Sequence, residues 1–335
     1  MQVTFLIGNG FDLNLGLRTR YTQFYPHYLK DPAFATEDPE ILQFKNLFCQ
    51  DIRYSHWADF ERALGRHTVQ PPLDKPDSLR SCLKDFKRCF SQYLRREEER
   101  IDFASCGYEM AEKFSESLHS HLTHLEPRLF GIIQVALPLH ERTEFHILDF
   151  NYTTVIDRIA GFLTPDMFGT DSLESVIHVH GTHSSGMILG VDSLDQVANP
   201  ALFTDPRQQR ILLKPLLNQQ SGQGNDQTAW DCIKSSEEVC IFGMSLGETD
   251  ATWWLRLGMW LEVSSRHQLL IFSRNSDLDP LYPEDILDYQ DKIRDRFLSY
   301  TDISSGRRKF FRDRIHVVTS SDIFDLAPVL KDFSV

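Results

Sequence analysis

Two runs in this chain, Val239–Phe242 and Leu269–Phe272, contain no polar position at all. A strand needs such a run only when both of its faces are covered, which is the condition of a parallel sheet packed between helices. Five further β-rich runs carry the same message: Val3–Ile7, Phe145–Phe150, Val176–His180, Met187–Val191 and Ile315–Thr319. Several are followed by segments with helical spacing of apolar residues, at Thr153–Leu163, Pro206–Asn218, Ala251–Ser264 and Pro283–Tyr300. Strands alternating with helices predict βα units. The expected fold is α/β, a Rossmann-like parallel sheet flanked by helices.

The first two strands are separated by far more chain than the dozen or so residues one crossover needs. Lys84–Ile101 is rich in Arg, Lys and Glu, and Tyr108–Leu125 carries apolar residues at helical spacing. Residues 21–138 are therefore expected to form a large, mostly helical insertion over the ligand edge of the sheet, with 1–20 and 139–335 forming the nucleotide-binding domain. Gln70–Asp77, with three prolines, reads as a turn-rich linker inside it.

The balance of 35 basic against 48 acidic residues gives a net charge of −13. That argues against a broad electrostatic footprint on nucleic acid or an anionic membrane, though not against a local basic pocket. The six cysteines form no C-x-x-C pair, and a chain of 335 residues has no need of a disulfide framework. Reduced structural thiols in a cytoplasmic protein are expected. No signal-peptide pattern opens the sequence, and no apolar run approaches the ~20 residues of a membrane helix.

Four constellations carry candidate chemistry. The first strand ends in Gly8-Asn9-Gly10-Phe11-Asp12, with Gly16 beyond. Residues without Cβ let backbone N–H groups approach a ligand, most often a phosphate, although a tight strand-to-helix turn would look the same. The third glycine is displaced by three from the usual dinucleotide pattern. Asp12 is placed to cap the next helix, to bond a ribose or to organise a water. Asn151, past the strand ending at Phe150, offers paired donor and acceptor to a ribose or amide; helix capping by Asn151 or Thr153 is equally open. In His178-Val-His180-Gly181-Thr-His183, period-two alternation puts His178 and His180 on one face. His180, at the strand end, suits general-base work, while His178 reads as a satisfied core histidine. Carboxylate or cysteine ligands at familiar spacing are missing, so no metal is expected here. Finally, Gly243-Met-Ser245 follows an apolar strand and precedes a helix with Glu248 and Asp250 in its first turn, acidity that suits the helix dipole.

As an ordered set, Gly8–Asp12, Phe150–Thr153, His178–Gly181 and Phe242–Gly247 closely resemble the bacteriophage abortive-infection AbiH family, and Trp57-Ala-Asp-Phe-Glu61 is similar to that family's Trp-x-Asp-x-Glu segment. Such proteins in turn resemble sirtuins and sirtuin-like NAD-consuming defence domains. The resemblance implies Gly8, Asn9, Gly10, Phe11 and Gly16 at a pyrophosphate, Asn151 at the nicotinamide ribose, and His180 with Gly181 at the ribose hydroxyl. Gly243 and Ser245 match the sirtuin Gly-Thr-Ser. The sirtuin zinc cysteines are missing, so lysine deacylation is not implied, and Phe150 stands where sirtuins carry Gln.

The expected function is thus an antiviral effector that binds NAD or a related nucleotide and hydrolyses its N-glycosidic bond, with His180, Asn151 and Asp12 as catalytic residues. One alternative is a nucleotide-sensing module signalling through the helical insertion to a phage-derived trigger or partner protein, with self-assembly left open. Another is a nuclease using Asp12, Asp59 and Glu61.

Overall fold

A computed structural model describes residues 1–48, 60–125, 127–137, 141–220, 225–319 and 321–332. Cys49, Trp57 and Asp59 lie outside the described residues. The sheet has six strands: β1 (Gln2–Ile7), β2 (Glu144–Asp149), β3 (Ser172–His178), β4 (Glu238–Phe242), β5 (Gln268–Phe272) and β6 (Ile315–Val318). All pairings are parallel and the order is β3-β2-β1-β4-β5-β6. The α/β class expected from the apolar runs is the class observed. Every residue of β4 and β5 is buried, because helices cover both faces.

Alternate strand residues feed two cores. Phe5, Ile7, Cys240 and Leu270 join the helix Phe103–Ser120 on one face. Leu6, Val239, Ile241 and Ile271 pack on the other, against the tryptophan side of the helix Ala251–Val263. A third core is rich in aromatic side chains. It draws Phe24, Tyr28, Phe44, Phe60, Phe86 and Phe90 from the interval between β1 and β2, and also Leu189, Val191 and Phe203 from after β3. Phe60 and Phe86 stack face to face, 4.2 Å apart and 4° from parallel. Packing therefore ties the early helices to the 189–213 segment, while the helix Phe103–Ser120 belongs to the sheet.

Two expectations fail together, for one reason. Met187–Val191 is not a strand, and Pro206–Asn218 is not one helix but two, Pro206–Gln209 and Lys214–Gln220. The break in the helix is where Val191 docks: Val191 N–H donates to Leu212 O at 2.8 Å and Lys214 N–H to Val191 O at 2.9 Å. A single bridge replaces both elements, and it fixes Lys214 at the start of a helix facing the sheet edge. β3 also ends earlier than expected, at His178, leaving His180 in the turn beyond it.

Candidate functional site

The strand order reverses between β1 and β4, and open α/β sheets bind ligands in the crevice outside that switch point. There the protein has a cleft of about 640 Å³, lined by the ends of β1, β2, β4 and the turn after β3, with helices of the aromatic unit opposite. The size suits a nucleotide-class ligand. Gly8, Asn9, Gly10, Asp12, Asn151, His180, Gly243 and Ser245 all line it. Phe11, Gly16 and Gly181 do not. Phe11 is buried in the sheet core against Phe114 and Phe324, Gly16 is an exposed turn residue at φ +77°, and Gly181 packs its Cα against the Gly186 carbonyl.

The glycines of the first turn pack against the β4 turn. Gly8 N–H donates to Phe242 O at 2.9 Å and Gly10 N–H to Gly243 O at 2.8 Å. A Cβ on Gly10 would sit 2.4 Å from Gly243 Cα, and one on Gly243 would sit 2.8 Å from Gly10 Cα. The missing side chains let the β1 and β4 turns touch at the switch point, where the Gly8 and Gly10 N–H groups are engaged within the fold. The Asn9 amide oxygen likewise accepts from Thr19 Oγ1.

Asp12 is buried and accepts from Thr153 Oγ1 at 3.1 and 3.0 Å. Burial, with Asp149 and Glu98 nearby, raises its pKa well above the usual carboxyl range despite the Thr153 bond. Neither Asn151 nor Thr153 caps a helix: the following helix, Val155–Ala160, begins after Thr154, which bonds Glu98 through both its N–H and its hydroxyl.

Asn151 is the anomaly of the site. It is 4% exposed, and neither its amide oxygen nor its amide nitrogen has a hydrogen-bond partner among the described residues. Buried polar groups are almost always paired, and an orphan costs about 1–3 kcal/mol. His180 is similar in one respect. Its Nε2 lies 3.4 Å from Asp250 Oδ1, while Nδ1 has no partner. Asp250 is held below the ordinary carboxylate range: burial opposes its charge, but Lys214 and His180 outweigh burial. An ionised carboxylate only accepts, so Nε2 carries the proton and Nδ1 keeps a lone pair. Burial, then Lys214, lower the His180 pKa and keep the imidazole neutral against the pull of Asp250. Phe150 packs edge-on against His180 at 5.4 Å and against Trp253 at 5.5 Å, fixing the ring.

The histidines do not converge. His178 Nε2 is 2.6 Å from Asp157, His180 faces Asp250, and His183 Nε2 is 3.1 Å from Glu98. The expectation of one shared face fails because β3 ends between the first two. Among the described residues, the group with metal-ligand chemistry is His121, Glu238 and Cys240, all buried in and beneath the first turn of β4, at the far end from the cleft. His121 Nε2 lies 2.6 Å from Glu238 Oε1 there, as a closed pair.

The residue that sequence gave no sign of is Lys214. It is 2% exposed in its side chain, with Nζ 2.9 Å from Glu61 Oε2 and 3.1 Å from Asp250 Oδ1. Burial works against its charge, but Asp250, Glu61 and Asp192 hold the pKa well above the usual lysine value. Asp192 itself is raised by burial to about 6, with Lys214 opposing. Glu61 further accepts from Gly190 N–H at 3.1 Å, and Tyr152 OH lies 3.4 Å away while donating to Ile188 O at 2.8 Å. Asp250, which suits a helix dipole on paper, caps nothing with its side chain and instead joins this chain of charges. The cleft floor thus links the helix Phe60–Arg66, the helix Lys214–Gln220 and the β4 turn to one histidine.

No helix of the described residues is long and apolar enough to cross a membrane. Neither the curated proteins nor the solved structures compared with the chain give a match. The family model for bacteriophage abortive infection AbiH matches residues 4–272, which takes in β1 through β5 and every lining residue of the cleft except Arg296 and Tyr300. The chain belongs to the AbiH family, and with it to the abortive-infection defence against phage.

Proposed function

We propose that the cleft binds NAD or a related nucleotide and hydrolyses its N-glycosidic bond as the effector step of this defence. The observation that carries the proposal is the orphaned Asn151 amide beside a neutral, Asp250-held His180. A buried donor and acceptor left open at a switch point is a site prepared for a ligand that carries both kinds of group, such as a ribose or a carboxamide. The resemblance of Asn151 to the sirtuin strand-end Asn and of His180-Gly181 to its His-Gly supports the same assignment.

In this scheme Asn151 orients the ribose. His180 accepts a hydrogen bond from a ribose hydroxyl at Nδ1, steadying the positive charge that develops on the sugar as the bond from C1′ to the pyridine nitrogen breaks. The bonding pair neutralises the pyridinium ring, water adds to C1′, and one proton is released. Asp250 holds the His180 tautomer and Lys214 holds Asp250, so both are positioning residues. Asp12 braces Thr153 in the cleft wall.

The test is nicotinamide release from NAD, followed by mass spectrometry, for wild type and for His180→Ala and Asn151→Ala. Loss of a group that assists proton transfer is expected to slow turnover by about 10²- to 10⁴-fold. Asn151→Ala is expected to melt at or above the wild-type temperature, since its amide bonds nothing among the described residues. Undiminished turnover in either variant would remove these residues from the mechanism.

One observation favours a second scheme, nucleotide sensing. Glu61 belongs to the aromatic unit and is joined through Lys214 and then Asp250 to His180, so a ligand that moves His180 pulls on that unit. Tight binding with no product is the outcome that selects it. A nuclease draws less support: of its carboxylates, Glu61 is paired with Lys214, and burial raises the pKa of Asp12.

A further inference from the structure

The N–H groups of Gly8 and Gly10 are engaged by the β4 turn, so a nucleotide's phosphates need further partners. We propose that they are held at the mouth of the cleft by three guanidinium groups, Arg20, Arg66 and Arg296. This inference rests on the nucleotide-binding proposal and names the groups that select a phosphorylated ligand.

All three residues line the cleft and are exposed. They come from separate elements: Arg20 from the turn before the helix Tyr21–Lys30, Arg66 from the end of the helix Phe60–Arg66, and Arg296 from the helix Pro283–Ser299. None makes an ion pair or side-chain hydrogen bond among the described residues. Elsewhere the protein neutralises many of its arginines: Arg96 pairs with Asp31, Arg142 with Glu174, Arg256 with Asp226, and Arg312 with Asp291 and Asp295. In a chain of net charge −13, three unneutralised cations around one opening are a local inversion of the field. The other cations of the cleft are already committed, Lys214 to Glu61 and Asp250, and Arg62 to Glu248 at 3.3 Å.

The arrangement suits a pyrophosphate better than a single carboxylate. Guanidinium forks bind phosphate oxygens in pairs, and three forks from three elements can enclose a diphosphate from different sides. Such a clamp also joins the aromatic unit, through Arg20 and Arg66, to the sheet unit, through Arg296. It leaves the floor, with Asn151 and His180, for the uncharged ribosyl end.

The experiment is calorimetric titration of the full chain with ADP, inorganic pyrophosphate and nicotinamide riboside, the last carrying the ribosyl end without phosphate. Wild type is compared with Arg20→Gln, Arg66→Gln and Arg296→Gln, and with Arg95→Gln, which removes the same charge from an exposed helix face that does not line the cleft. Each cleft variant is expected to weaken ADP and pyrophosphate by about 5- to 30-fold, to flatten the salt dependence of binding, and to leave nicotinamide riboside unaffected. Arg95→Gln is expected to change ADP affinity less than twofold. ADP binding that is equal in wild type and all three cleft variants, or no binding of ADP and pyrophosphate by wild type, would overturn the clamp. Because the assay reads binding alone, an arginine-dependent affinity for ADP in a protein that never splits NAD would keep the clamp and reject only the hydrolase.

Discussion

Replacing Lys214 by methionine tests the floor of the cleft most directly. The substitution keeps the length and bulk of the side chain but removes a charge whose side chain is 2% exposed and whose partners Glu61 and Asp250 are 8% and 21% exposed. Two carboxylates are then left facing each other in a low-dielectric site, and breaking a buried pair from one side costs about 3–5 kcal/mol. Unfolding entropy scales at about 2.1 cal/mol/K per residue, or about 0.7 kcal/mol/K for this chain, so Tm is expected to fall by about 4–7 °C. Urea titration followed by the fluorescence of the buried Trp253, Trp254 and Trp260 reads the free energy itself. The double variant Glu61→Gln with Lys214→Met removes one of the stranded charges and is expected to regain about 1–3 kcal/mol of coupling. Histidine NMR adds a second readout: with the lysine charge gone and Asp250 still beside it, the His180 pKa is expected to rise. A Lys214→Met protein within about 1 kcal/mol of wild type, with additive effects at Glu61, would refute the network.

Two further outcomes follow from the same geometry. Gly10→Ala forces a Cβ to within 2.4 Å of the Gly243 backbone, which cannot swing aside as a side chain would, so thermal melts are expected to show a loss of at least about 1–3 kcal/mol; a neutral substitution would mean the two turns do not touch. Asp149 is raised by burial to about 7, so its share of stability is fully present below about pH 4 and is lost as the pH rises through 7. The near-isosteric Asp149→Asn keeps the acceptor for Asn151 N–H and should gain about 2 kcal/mol on wild type between about pH 5.5 and 8, and a flat difference across that range in urea titrations would reject the buried protonated carboxyl.

The strands were legible because their burial is two-sided: Val239–Phe242 and Leu269–Phe272 need no polar residue anywhere, and few structures other than a covered parallel strand tolerate that. Asn151 and His180 were legible because each is polar and ends an apolar run. The glycines were found, but their packing against the β4 turn was not. A turn that must approach a phosphate and a turn that must approach another turn both require the absence of a Cβ, so sequence cannot tell Gly10 facing a ligand from Gly10 facing Gly243. Lys214 could not be found at all, since its partners lie 36 and 153 residues away and a lone lysine at a helix start carries no pattern. Even the helix break that places it is set by Val191, from a run that reads as a strand until the two segments meet.

The division of charge in the cleft has a consequence that separates chemistry from capture. On the floor, Lys214 is enclosed by the carboxylates that neutralise it, so it adds little pull on a distant anion, and its effect on His180 is shielded from solvent ions. At the mouth, the unpaired arginines face water, where salt at about 0.15 M screens charges beyond about 8 Å. Raising ionic strength should therefore raise the apparent KM for a phosphorylated substrate while leaving kcat, and the acidic limb set by the lowered His180 pKa, nearly fixed. Titrating NAD turnover from about 0.05 to 0.5 M salt separates the two. If kcat falls with KM unchanged, the exposed charges act on the reaction rather than on binding, and the assignment of the arginines to capture and of Lys214 to positioning is reversed.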